Sequence, residues 1–280
     1  MVTPFNEDLS VDFDSLTKLV DYNIGNGTNY LVVLGTTAEA ATLSTEEKKQ
    51  VTEHIVKVNN NRVPLVLGIG GNNTMEVKKQ IEATDLSEFD AVLSVSPYYN
   101  KPNQEGLYQH YKVLAGTGKN IIIYNVPSRT GQNIEASTTL RLAEEFPNLI
   151  MIKEAAPNIL QYFDILRLKP ANFNLVSGDD EYTLPVTLAG GNGVISVIGQ
   201  GYPKEFSTMV QLAFDGKVKE AYEIHNKLVE ITRLIFAEGN PAGIKTVLAE
   251  LGIIKNYLRL PLVAASAGLQ EKIKAEMAKI

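Results

Sequence analysis

The sequence predicts an α/β fold, a (β/α)8 barrel with a helical extension at its C-terminal end. Three observations predict it. Short β-branched runs alternate with longer amphipathic stretches, which is how consecutive βα units read. Many of the runs are nearly continuously apolar, as expected of parallel strands covered on both faces. The length, 280 residues, suits one closed α/β barrel.

Taken in order, the strands fall at residues 30–34, 63–69, 91–95, 120–124, 149–153, 174–177 and 193–197. Residues 2–5 supply a leading strand and bring the number to that of a closed barrel. Helix starts are legible between them. Ser44-Thr45-Glu46-Glu47 has the form of a capping box and opens a helix reaching about Asn59. Thr74 and Gln104 open the next two, and Asn158-Ile159-Leu160-Gln161 repeats the capping pattern. Beyond Lys217 the pattern is purely helical, over residues 217–236, 241–251 and from Leu260 onward. Residues 1–217 are therefore read as the barrel and residues 218–280 as helices packing on or beside it. A dinucleotide-binding sheet would carry G-x-G-x-x-G after its first strand, and this chain does not.

Composition narrows the function. Hydrophobic residues at 44% and charged residues at 21% describe an ordinary soluble globular protein. A net charge of −6 argues against general nucleic-acid binding, which needs a basic surface. With no cysteine there is no disulfide and no thiolate–metal site, which suits a reducing cytoplasm. No apolar run is long enough to span a membrane, and no basic-then-apolar segment with a cleavage site is legible in the sequence. The expected setting is cytoplasmic, with a small-molecule partner. His54, His110 and His225 fall on predicted helices without ligand spacing, so no metal is expected. Asp179-Asp180 reads as a helix-capping pair before it reads as a cation site. Gly190-Gly191-Asn192-Gly193 precedes a strand where phosphate loops follow one, and reads as a turn.

Active sites of α/β barrels gather at the C-terminal ends of the strands. There the chain carries Gly35-Thr36-Thr37-Ala38-Glu39, Ser96-Pro97-Tyr98-Tyr99-Asn100, Tyr124-Asn125-Val126-Pro127-Ser128-Arg129, Lys153-Glu154, Ser177-Gly178-Asp179-Asp180 and Ile195-Ser196. Lys153 is the most informative. Period-two alternation puts Leu149, Met151 and Lys153 on one face of their strand and Ile150 and Ile152 on the other. An inward lysine above an apolar floor loses solvation, which favours the free amine needed for carbonyl attack. A strand-end lysine reaching solvent is the alternative. Thr36 and Thr37 could hold a carboxylate through hydroxyls and backbone N–H groups, or simply cap their turn. Tyr124 could relay protons or close the barrel top. Arg129 could bind a carboxylate bidentately or stand solvated in its loop. Tyr98 and Tyr99 cannot both point into one core, so one could reach a subunit interface.

Together these motifs resemble those of the dihydrodipicolinate synthase family, within the pyruvate-dependent class I aldolases that include N-acetylneuraminate lyase. The match follows the barrel in order. The resemblance implies that Lys153 forms an imine with pyruvate, that the derived enamine attacks L-aspartate 4-semialdehyde, and that no cofactor takes part. It implies that Thr36 and Thr37 hold the pyruvate carboxylate, with Thr36, Tyr124 and Tyr99 in a hydroxyl relay. Tyr99 would come from a neighbouring subunit of a homotetramer, a dimer of dimers. Arg129 would hold the semialdehyde carboxylate, and Gly178 and Ile195 would line the pocket. A lysine-responsive regulatory cleft would involve Asn72, Glu76 and Tyr98, with Lys48 where several sensitive members carry histidine. A cation there disfavours a cationic ligand. Arg129 and the tyrosine pair favour the synthase over sugar-acid lyases. A sibling aldolase and a non-catalytic keto-acid-binding barrel are the alternatives. Two further departures stand out. Ala38 replaces the family's usual glycine and demands a negative φ, and the chain begins close to where the family's first strand ends.

Overall fold

The computed structural model describes all residues, Met1–Ile280, in two compact units. One comprises Met1–Pro64 with Val197–Ile280, and the other Leu65–Ser196.

The first unit opens with helix α1 (Phe13–Gly25), strand β1 (Leu31–Val33) and helix α2 (Thr45–Asn59). Asp12 caps α1 by accepting from the Ser15 N–H at 3.0 Å. The capping box expected at α2 forms in full. The Ser44 hydroxyl accepts from the Glu47 N–H at 3.1 Å, and the Ser44 N–H donates to Glu47 Oε2 at 2.8 Å.

The second unit alternates strands and helices: β2 (Leu65–Gly68), α3 (Thr74–Ala83), β3 (Ala91–Val95), α4 (Gln104–Ala115), β4 (Ile121–Asn125), the short α5 (Pro127–Thr130), α6 (Ala136–Glu145), β5 (Leu149–Glu154), α7 (Ile159–Leu168), β6 (Asn174–Ser177) and α8 (Thr183–Leu188). Its strands β2 to β6 pair in parallel, in the order of the chain. Every residue of β4 is buried, as a strand covered on both faces requires. Asn73, Asn103 and Asn158 cap α3, α4 and α7 through their side-chain oxygens, which fixes where each strand-to-helix loop ends.

The chain then returns to the first unit with α9 (Pro203–Phe214), α10 (Val218–Phe236), α11 (Ala242–Glu250) and α12 (Ala267–Met277). Helix α10 packs on α9, α11 and α12. No helix is long and apolar enough to cross a membrane.

Three predicted elements differ. Residues 2–5 form no strand. Phe5 makes one antiparallel bridge with Val11, closed by Asn6 N–H to Ser10 O and Asp12 N–H to Pro4 O, both at 2.9 Å. Pro4 has no N–H to give a ladder, and the Val2 N–H is taken by Gln200 Oε1 at 2.7 Å. Residues 193–197 form no strand: Val194 makes one parallel bridge with Ser177, and a 3-10 turn follows at Ile198–Gln200. The structure therefore shows six strands where eight were expected. The last helix begins at Ala267, capped by Ser266, and not at Leu260, because Pro261 biases its predecessor away from helix.

Candidate active site

Strand register builds the reactive part of the second unit. The β4–β5 pairing sets Tyr124 beside Lys153 and Asn125 beside Glu154. Successive side chains alternate faces, so the first pair shares one face and the second pair the other. Lys153 is buried at 8% exposure, and its Nζ lies 4.3 Å from the centre of the Tyr124 ring. No hydrogen bond or ion pair holds that nitrogen. An aromatic face holds the amine without a directed bond and leaves the nitrogen open to an incoming carbonyl.

Gly178, in the turn after β6, closes on the same lysine. A Cβ at this position would stand 2.8 Å from Lys153 Cε and 2.7 Å from Ala155 Cβ, closer than side chains approach. Only glycine lets the turn pack against the lysine stem. Its N–H donates to the Glu154 carbonyl at 2.6 Å. Ile195 is buried and donates its N–H to the Ser177 carbonyl at 2.9 Å, which puts it beside the end of β6.

Arg129 occupies the last turn of α5, exposed and without a carboxylate partner. Tyr98 and Tyr99 follow β3, and Tyr99 is 89% exposed with φ at +74°, a conformation that side chains rarely adopt. Asn72 is half-buried, and its carbonyl accepts from Asn100 Nδ2 at 2.9 Å. Glu76 is exposed in the first turn of α3. The second unit thus brings Lys153, Tyr124 and Gly178 together and sets Ile195, Arg129, Tyr98 and Tyr99 on neighbouring strand ends and loops.

The opposite face of β4 and β5 holds residues that motif reading did not single out. Glu154 is wholly buried. Its carboxylate accepts from Asn125 Nδ2 at 2.9 Å, from Gln161 Nε2 at 2.8 Å and from the Ala156 N–H at 2.8 Å. Burial pushes its carboxyl up to about 7 against the pull of these donors. The sequence does carry a signal for the pair: each is polar at the helix-facing position of a strand covered on both sides, where polar groups need partners.

Thr36, Thr37 and Lys48 belong to the first unit. Thr36–Ala38 form a single 3-10 turn. Thr36 is exposed, while Thr37 Oγ1 accepts from Asn240 Nδ2 at 2.8 Å. Ala38 avoids positive φ, as its methyl demands; the left-handed residue is Glu39, at φ +54° and ψ +34°. Glu39 anchors the turn. Its fully buried carboxylate forms an ion pair with Lys245, and its Oε2 accepts from the Arg259 N–H at 3.0 Å. Lys245 also donates to the Tyr257 carbonyl at 2.8 Å and sits 4.3 Å over the Phe5 ring. Lys48 is half-buried in α2.

The sequence profile of the Dihydrodipicolinate synthetase family matches residues 1–280. The chain is 55% identical over 274 residues to the 4-hydroxy-tetrahydrodipicolinate synthase of Flavobacterium psychrophilum, covering 98% of this chain and 94% of that one. It is similar to the crystal structure of the Thermotoga maritima dihydrodipicolinate synthase, with TM-score 0.97 and 37% identity over 100% of this chain and 96% of that one. It is likewise similar to the Acinetobacter baumannii enzyme crystallised with pyruvate, with TM-score 0.96 and 39% identity over 100% and 96% of the two chains. With a full-length match joined to a strand-end lysine seated on a tyrosine ring, this chain belongs to the dihydrodipicolinate synthetase family.

Proposed function

We propose that the chain is a lyase that condenses pyruvate with L-aspartate 4-semialdehyde through an imine on Lys153. The observation that carries this reading is Lys153 itself: buried, without a counter-ion, and aligned rung to rung with Tyr124. Its free amine attacks the pyruvate keto carbon, and loss of water gives the imine. The protonated imine withdraws electrons from the adjacent methyl carbon, so a methyl proton leaves and an enamine forms. The enamine carbon attacks the aldehyde. The amine of the incoming substrate then attacks the imine carbon, closes the ring and releases Lys153.

In this reading Thr36 and Thr37 hold the pyruvate carboxylate, and Thr36, Tyr124 and Tyr99 move protons. Arg129, free of any carboxylate in the chain, takes that of the semialdehyde. Gly178 and Ile195 leave room for the bound three-carbon unit. The chain closes as a (β/α)8 barrel over residues 1–217, with residues 218–280 as its helical extension. It assembles as a homotetramer in which exposed Tyr99 completes a neighbouring site, and it works in the cytoplasm. Asn72, Glu76, Tyr98 and Lys48 belong to a regulatory cleft for lysine, which Lys48 weakens. Full-length similarity to the synthases supports these assignments.

Borohydride reduction in the presence of pyruvate, followed by peptide mass spectrometry, tests the reading. A single pyruvyl adduct on Lys153 is expected. A folded protein that gives no adduct at saturating pyruvate overturns it. Turnover with L-aspartate 4-semialdehyde and none with sugar aldehydes separates the synthase from its sibling aldolases.

A further inference from the structure

Behind the reactive rung lies a second one. Lys153 pairs in register with Tyr124, and the next rung pairs Glu154 with Asn125 on the helix-facing side. The Glu154 residue is held at each of its polar ends. Its backbone carbonyl accepts from the Tyr162 hydroxyl at 2.7 Å and from the Gly178 N–H at 2.6 Å. Its carboxylate accepts from Asn125, Gln161 and Ala156. The amides are fixed in turn. Asn125 Oδ1 accepts from the Ile134 N–H at 3.0 Å, and Gln161 Oε1 accepts from Asn133 Nδ2 at 2.8 Å. Neither amide can rotate to offer its oxygen without losing that bond.

We propose that Glu154 is a positioning residue for the Schiff-base lysine, its buried carboxylate holding the end of β5 so that Lys153 stays against Tyr124 and Gly178. This rests on the imine chemistry proposed for Lys153. The groups hydrogen-bonded to the carboxylate are all donors, so the cage favours the ionised form, while burial favours the neutral one. A protonated acid or an amide would turn a hydrogen toward another hydrogen, and the cage would loosen. Gly178 would feel the loosening, because its N–H is held by the Glu154 carbonyl and the lysine stem fills the space a Cβ there would take.

The titratable groups around Glu154 are few. They are Tyr162 from α7, Asp179 from the turn after β6, Tyr124 on β4 and Lys153 on its own strand. Burial pushes Tyr162 and Asp179 up, so the phenol stays neutral through the range tested. No cation pairs with the carboxylate, so its protonation is set by burial against neutral hydrogen-bond donors.

The experiment measures the rate of borohydride trapping with saturating pyruvate, for the full-length protein and Glu154→Gln, from pH 5.5 to pH 8.5. A misplaced nucleophile costs up to about 10²-fold. The wild type is expected to trap about 10- to 100-fold faster than Glu154→Gln at high pH. The ratio should fall toward unity as Glu154 itself protonates, while KM for pyruvate changes little. A ratio near unity at every pH, or a constant ratio that tracks a lowered Tm, overturns the proposal. If Glu154→Gln does not fold, Gln161→Met removes one donor and keeps the shape. Its trapping should then fail at higher pH than that of the wild type, and an unmoved pH profile is the contrary result. Absence of any adduct on the wild type would instead defeat the imine chemistry and leave the role of Glu154 without a subject.

Discussion

Each unit buries a lysine, and the two lysines are held in opposite ways. Lys245 in the first unit is saturated: a carboxylate, a backbone carbonyl and an aromatic face surround it. Lys153 in the second has an aromatic face over its nitrogen and no polar partner. The glutamates repeat the contrast. Glu47 in the first unit pairs with Arg259, whose hydrogen bond holds its carboxyl down to about 2. Glu154 in the second meets only neutral amides and rises to about 7. A counter-charge holds Glu47 ionised down to low pH, while Glu154, given only dipoles, titrates near neutrality; burial still lowers Lys245 to about 8 beside its carboxylate. In the first unit the Glu39–Lys245 pair anchors the Thr36–Thr37 turn; in the second the buried Lys153 and Glu154 face no counter-charge.

The sharpest break of this contrast is to remove each lysine. Lys153→Met should lower kcat by at least about 10³-fold, while the denaturation midpoint stays level or rises, since no partner is orphaned. Lys245→Met leaves Glu39 buried and unpaired and should cost about 3–5 kcal/mol in denaturant unfolding. The double variant Glu39→Gln/Lys245→Met should lose less than that single change, because no charge is stranded. A Lys245→Met protein of wild-type stability would erase the distinction between the two lysines.

The glutamates give smaller effects of opposite sign. The folded carboxyl of Glu154 lies near 7 against 4.5 unfolded, so between those values the folded chain holds a proton that the unfolded chain has lost. Its contribution to stability is therefore greatest below pH 4.5 and declines as pH rises to about 7, by at most about 1.4 kcal/mol per unit. Glu154→Gln should flatten that part of the stability profile. Glu47 runs the other way. Its pairing with Arg259 stabilises fully above pH 4.5 and is lost as pH falls toward about 2. At this partly exposed site the loss is about 1 kcal/mol. Arg259→Gln should remove that acid-side loss, read as denaturation midpoint against pH.

How far the sequence reveals this depends on the range of the interaction. The Lys153–Tyr124 face follows from alternation along two strands, and the start of α2 from its capping box; both are written in adjacent residues. Ala38 could be judged in advance because φ is a local property. The Glu39–Lys245 pair is not legible, since nothing near either residue says which distant charge it will meet. The amide cage of Glu154 is half legible: alternation turns Glu154 and Asn125 to the helix side, but Gln161 reaches them from a separate helix. The strands expected at residues 2–5 and 193–197 fail for a related reason. A β-branched run becomes a strand only where a continuous ladder forms: at residues 2–5 the Val2 N–H goes to Gln200 Oε1 and only Phe5 is bridged, and at residues 193–197 only Val194 is bridged.

The two adjacent rungs of β4 and β5 also set which genetic changes this protein can survive. Neighbouring residues of a strand face opposite ways, so a one-residue deletion within β5 would turn Glu154 into the reacting face and Lys153 into the helix layer. A substitution at most positions of that strand removes one side chain; a deletion exchanges the roles of all of them. The descent of such an enzyme should therefore record many replacements along β5 and almost no changes in its length, with insertions and losses confined to the loops beyond Glu154.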